Sequence, residues 1–174
     1  WGRPLMNIVM STVHRVAHAM HLVSGLLLLS MMIAVLLDVS TRTLFGVSGG
    51  RVDFTFRGGV EIVSYSLLFM ILFTLPYSVS RGQVIVDLFT ERMSERLKAL
   101  LAGIYTFGFG LLGLGMAIRF FEASARVAES GETTQDLLIP MSYIYAITAF
   151  ATSMLALRGL LVGIQELKAS RKTI

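Results

Sequence analysis

The chain has 174 residues, 55% of them hydrophobic and only 15% charged, and it has no cysteine. An ordinary soluble domain is about a quarter charged, and a mean hydropathy of +0.73 is too apolar for a chain that meets water on all sides. The missing cysteines exclude disulfide frameworks, thiolate nucleophiles, cysteine zinc sites and iron–sulfur clusters. A net charge of +4 could suggest nucleic acid. The basic residues are not clustered, however, but fall between apolar runs, where they act as membrane-orientation signals. The composition is that of a membrane protein that binds no nucleic acid.

In chain order, the first stretch long enough to cross a bilayer, which takes about 20 helical residues, is Ala19 to Leu37. It is too long for a signal peptide and no small-x-small cleavage site follows it. Trp1 in place of an initiating methionine points to a trimmed or partial N-terminus. His14, His18 and His21 precede the span, spaced four and three apart on one helical face. A metal or haem reading lacks ligands on a second helix, so they read as interfacial histidines near anionic lipid heads. The helix is predicted to run on through Phe45 and to stop at Gly46, a natural residue to follow a helix. Ser48-Gly49-Gly50 then forms a flexible turn. Gly46-Val47-Ser48-Gly49 has the Gly-x-Ser-Gly outline of an intramembrane serine protease, but no span offers a histidine base.

The second span is Val60 to Val79, charged only at Glu61. Asp38 and Arg42 meet across one helical turn, and Glu61 lies at nearly the same depth. Charge at that depth suggests either ion coupling or partner contact, or an ion-pair cluster fixing the first hairpin. The second reading is favoured. Val84 to Lys98 separates Ile85, Leu88, Phe89, Met93 and Leu97 from Asp87, Glu91, Arg92, Glu95 and Lys98, which predicts an interfacial amphipathic helix.

The third span, Ala99 to Ile118, is uncharged and glycine-rich. Gly103, Gly110 and Ala117 recur every seven residues, with Gly113 near the same face. Small residues so spaced let helix backbones approach closely, either inside the four-helix unit or against a larger partner. Phe120 to Glu129 continues the helix as far as Ser130-Gly131, and Thr133 to Asp136 forms a polar loop. Pro140 suits the first turn of the fourth span, Ile139 to Leu157. The fold class is therefore an all-α integral membrane protein, a single membrane domain over 1–174 with four spans. Ten Lys and Arg residues fall on the side of both termini and five on the other, so the termini are expected to be cytoplasmic. No acid or base stands at the middle of any span, where a self-contained transporter would need one.

Several of these residues together resemble the small Q-type membrane subunit of TRAP (tripartite ATP-independent periplasmic) transporters. The matching pieces are Asp38-Val39-x-x-Arg42-x-x-Phe45-Gly46, Glu61 opening the second span, and Arg81-Gly82-x-Val84-x-Val86-Asp87-Leu88. Thr134 with Leu138-Ile139-Pro140-Met141 completes the set, so the resemblance covers nearly the whole chain. The chain departs from the pattern at Gln83, often histidine, at Ser142, often tryptophan, and in lacking a Pro-x-Gly in the fourth span.

The resemblance implies a non-catalytic subunit of the bacterial inner membrane, with no cofactor and no metal, that does not itself hold substrate. Its partners would be a large M-type membrane subunit that moves as a sodium-driven elevator and a periplasmic substrate-binding protein that delivers organic acids. The small subunit would brace the scaffold among membrane lipids. Snorkelling Arg158 or Lys98 would anchor it, and Tyr77, Phe120, Phe121, Tyr143 and Tyr145 would pin its depth. Asp38, Arg42 and Glu61 would form one cluster, and Arg81 and Asp87 would hold the inner elbow. The competing class is a stand-alone four-span oligomeric carrier or channel.

Overall fold

The computed structural model describes residues 2–51, 54, 58–79 and 94–172. Among these, four helices follow one another: α1 (Gly2–Val47), α2 (Gly59–Ser78), α3 (Glu95–Ser130) and α4 (Met141–Lys172). No strand is named among the described residues, and the one bridge, between Thr133 and Pro140, lies in a loop. Each helix is long and apolar enough to cross a membrane. At 1.5 Å per residue, α2 spans about 30 Å, the thickness of a hydrocarbon core. The 46 residues of α1 reach well beyond it.

The helices alternate in direction. One end of the bundle carries the α3–α4 loop, residues 131–140, and is called the loop end; Tyr77 lies at the opposite end. α1 pairs with α2, and α3 packs along α4. α4 also touches α2 and, at fewer places, α1, whereas α3 meets neither of them among the described residues. The last helix is therefore the one on which the other three converge.

The composition of α4 explains how it holds that position. Ala149, Ala151, Ala156, Gly159 and Gly163 keep it thin and are all buried. Its buried hydroxyls are served by its own backbone: Thr148 donates to the Ile144 carbonyl at 2.8 Å and Thr152 to the Thr148 carbonyl at 2.8 Å. Neither hydroxyl needs a partner from another helix. Ala151 then packs with Met20 of α1 and Leu72 of α2, and Val16, Phe73, Leu75 and Met154 close over this small core.

A glycine seam joins α3 to α4. A methyl group on Gly110 would stand 2.6 Å from the Leu160 nitrogen, and one on Gly113 would stand 2.8 Å from the Ala156 nitrogen. From the other side, a methyl on Gly163 would lie 2.8 Å from the Phe107 nitrogen. Gly103 faces Leu167, and Ala117 is buried on the same side. Gly108 and Gly115, on the other face of α3, have nothing near them. The first hairpin is tied differently: Thr74 donates to Ser24 across 2.7 Å, and Ser24 donates to the His21 carbonyl. Interhelical bonds of this kind contribute about 0.6 kcal/mol on average.

Two expectations about helix ends are corrected. α1 continues past Gly46 to Val47, and Gly49 is the residue that ends it, with φ of 62°. Gly50 N–H donates to the Phe45 carbonyl and Gly49 N–H to that of Gly46, the paired bonds of a Schellman turn. Gly46 has ordinary helical φ, so the second available glycine is the stop. Pro140 stands just ahead of α4 instead of within its first turn.

The amphipathic helix expected over Val84–Lys98 is also corrected. Ser94 is extended, with φ −64° and ψ 147°, and caps α3, so Glu95 to Lys98 are the opening turn of α3. No continuous helix can pass through Ser94. The remaining residues of that expectation, with Arg81 and Asp87, lie outside the described residues.

Candidate functional site

At the loop end, residues 131–140 form a small built structure. Gly131, with φ of 70°, ends α3. Thr134 N–H donates to the Ile139 carbonyl at 2.9 Å, and Ile139 N–H returns a bond to the Thr134 hydroxyl at 3.1 Å. Met141 N–H reaches back to the Glu132 carbonyl at 3.0 Å. Thr134 is buried at the centre of this closure. Closing the chain so tightly leaves Leu138 at φ 53°, a left-handed conformation that costs a non-glycine residue about 1 kcal/mol or more.

The closure turns two amides outward, and Glu61 receives them. Its carboxylate accepts from Asp136 N–H at 2.8 Å and from Leu137 N–H at 3.1 Å. Gly58, just before α2, has φ of 90°, and a methyl there would stand 2.7 Å from Leu137 Cδ2, so the loop clasps the start of α2. Ser124 donates to the Ser142 carbonyl at 2.9 Å, and Tyr65 to the Met141 sulfur at 3.4 Å, adding two more ties at this level. A cavity of about 480 Å³ opens beside Glu61, Tyr65 and Thr134.

Asp38, Arg42 and Glu61 are thus not one cluster. Arg42 Nε pairs with Asp38 Oδ2 at 2.9 Å on the exposed surface of α1, while Glu61 is spent on the α3–α4 loop. Equal depth did not specify which neighbour α2 would turn its carboxylate toward. Gly103 and Gly110 both face α4. Pro140 bridges to Thr133 and so belongs to the loop closure.

The opposite end holds a cluster that the sequence did not announce. His14, His18 and His21 of α1 lie around one ring, Tyr77 of α2, with centroids 5.8, 5.4 and 4.8 Å away. The His21 ring is stacked on it. The Arg158 guanidinium of α4 lies 5.9 Å from the centre of the same ring. Arg158 is only 5% exposed, so it does not snorkel from the surface as expected. Tyr77 likewise binds three helices together instead of resting at the membrane edge as an isolated anchor. The four-and-three histidine spacing was a usable signal for one face of α1; nothing local marked Tyr77 or Arg158 as the groups that face meets. Among the described residues no group of His, Cys, Asp and Glu has the arrangement of a metal site.

Four apolar helices long enough to cross a bilayer make a multi-pass membrane protein. The family model for tripartite ATP-independent periplasmic transporters, DctQ component, matches residues 31–169. The chain belongs to this family, and is a small membrane component of a TRAP transporter. No curated protein and no solved structure matches it.

Proposed function

We propose that this subunit is a non-catalytic brace in the bacterial inner membrane, supporting a large M-type subunit that moves organic acids by a sodium-driven elevator. Both termini lie in the cytoplasm, so the 131–140 loop faces the periplasm and offers surface to the substrate-binding protein. Asp38, half-buried beside the exposed Arg42 on the extension of α1, would contribute to the same surface. The observation that carries the reading is the interior of α4. Its buried Thr148 and Thr152 hydroxyls are turned onto their own helix, and Ala149, Ala151, Ala156 and Leu155 pack around them. This stretch of α4 supports a packing role, since its hydroxyls are spent on its own backbone and are not offered to a solute, as a fixed scaffold needs.

Co-expression with and without the large membrane subunit tests this, read by co-purification and by sodium-driven uptake into vesicles. The brace reading expects co-purification and uptake only with the partner. Uptake by this chain alone would establish the stand-alone carrier instead. A reporter fused after Ile174 that is active only in the periplasm would overturn the topology.

A further inference from the structure

We propose that the cleft between α1 and α4 at the opposite end of the bundle is a binding site for the phosphate head of an anionic phospholipid. A cavity of about 320 Å³ lies there. Its wall is mixed: His14 of α1 with Arg158 and Gln165 of α4 supply polar groups, and Met10, Val13 and Leu161 supply apolar surface. Guanidinium is always charged and presents a planar fork of donors that matches phosphate oxygens. A wall that is mostly apolar, with a cation and two polar side chains in it, suits an amphiphile better than a free ion.

Depth and access select the occupant. Arg158 lies about 26 Å along α4 from Met141 at 1.5 Å per residue. In a core about 30 Å thick, that brings it to the headgroup boundary. α1 and α4 touch at few places, so the cleft can open sideways to the bilayer. The local charge on α1 is also positive, with Arg15 beside His14. Glu166, the acid of α4, stands two turns further along the helix. A lipid phosphate at this boundary would meet the Arg158 guanidinium from the cleft side, while Tyr77 lies against it from α2.

The test uses the full chain, stripped of lipid in a neutral detergent and titrated with dioleoylphosphatidylglycerol or dioleoylphosphatidylcholine, with bound lipid counted by native mass spectrometry. The anionic lipid is expected to bind more tightly by about fivefold or more, the ratio that one basic residue near an anionic surface contributes. Arg158→Gln should abolish the preference, while Arg119→Gln, exposed near the loop end, should keep it. If Arg158→Gln does not fold, the His14→Ala, Gln165→Ala double variant serves, and a reduced preference is again expected. Equal binding of the two lipids by the unaltered chain would overturn the proposal, as would a preference that survives these substitutions. Displacement of the lipid by millimolar inorganic phosphate would make this a soluble-anion site and overturn it equally.

Discussion

A methyl group built on Gly159 would stand 2.7 Å from the Cα of Gly110, so two helices meet backbone to backbone at this point. Gly110→Ala or Gly159→Ala must push α3 and α4 apart along a contact made of main chain, which cannot rotate out of the way. Overpacking of a rigid site costs about 1–3 kcal/mol. Thermal unfolding in detergent should show that loss for either variant. Gly108→Ala and Gly115→Ala, which face open space, should be neutral or slightly stabilising. Equal effects on both faces would contradict the seam.

Glu61 is a latch between α2 and the α3–α4 loop. Glu61→Ala removes the acceptor of the Asp136 and Leu137 amides and should lower the unfolding temperature, modestly because water reaches the carboxylate. Hydrogen exchange is the sharper readout: the Asp136 and Leu137 amides should lose protection while those of mid-α4 keep theirs. Glu61→Gln retains an acceptor and should fall between.

Thr134 and Leu138 make opposite predictions within one loop. Thr134→Val keeps the shape and removes the hydroxyl that Ile139 N–H uses, at a cost of about 1 kcal/mol or more. Leu138→Gly relieves a left-handed backbone at φ 53° and should be neutral to stabilising, although Leu138 is itself exposed. Protection of the loop amides, compared across the two variants, checks both signs.

Asp38 and Arg42 are expected to matter little for folding. An exposed pair one helical turn apart contributes about 0.3–0.5 kcal/mol. Asp38→Ala should therefore leave the unfolding temperature of the isolated chain nearly unchanged. If the variant also left assembly with the large subunit and uptake unchanged, no role would remain for this pair.

Tyr77 is the most heavily shared side chain at its end of the bundle. Tyr77→Ala takes away the ring against which three imidazoles and a guanidinium lie, and should cost about 2–3 kcal/mol, below the full penalty for a completely buried aromatic. Tyr77→Phe keeps the ring and should recover most of that loss. Limited proteolysis of α1 before His21 should follow the same order.

The long elements were legible because apolar runs of bilayer length have few other uses, and the glycine spacing on α3 marked one face as special. What the spacing left open was its partner, which required Gly159 and Gly163 on α4, four residues apart and readable as a small-xxx-small pair. The link from Glu61 to Asp136 spans 75 residues and rests on backbone amides, so no side-chain pattern carries it. The stop of α1 was misplaced because Gly46 and Gly49 have the same chemistry, and only the hydrogen-bond register distinguishes them. Tyr77 and Arg158 read as surface anchors from the sequence because residues near a span end ordinarily are; their contacts depend on how α4 packs against the first hairpin.

Among the described residues α4 touches all three other helices and α3 touches only α4, which bears on the birth of the protein. During synthesis the first hairpin can form with its Ser24–Thr74 tie, but Ala151 must arrive before the Met20–Leu72 contact has a third wall. α3 must wait in the lipid with its glycine face bare until the same helix emerges. Chains released early would consist of a loose hairpin and a solitary helix, both attractive to quality-control proteases. The emergence of α4 turns those pieces into a single body, so this one helix acts as an assembly checkpoint.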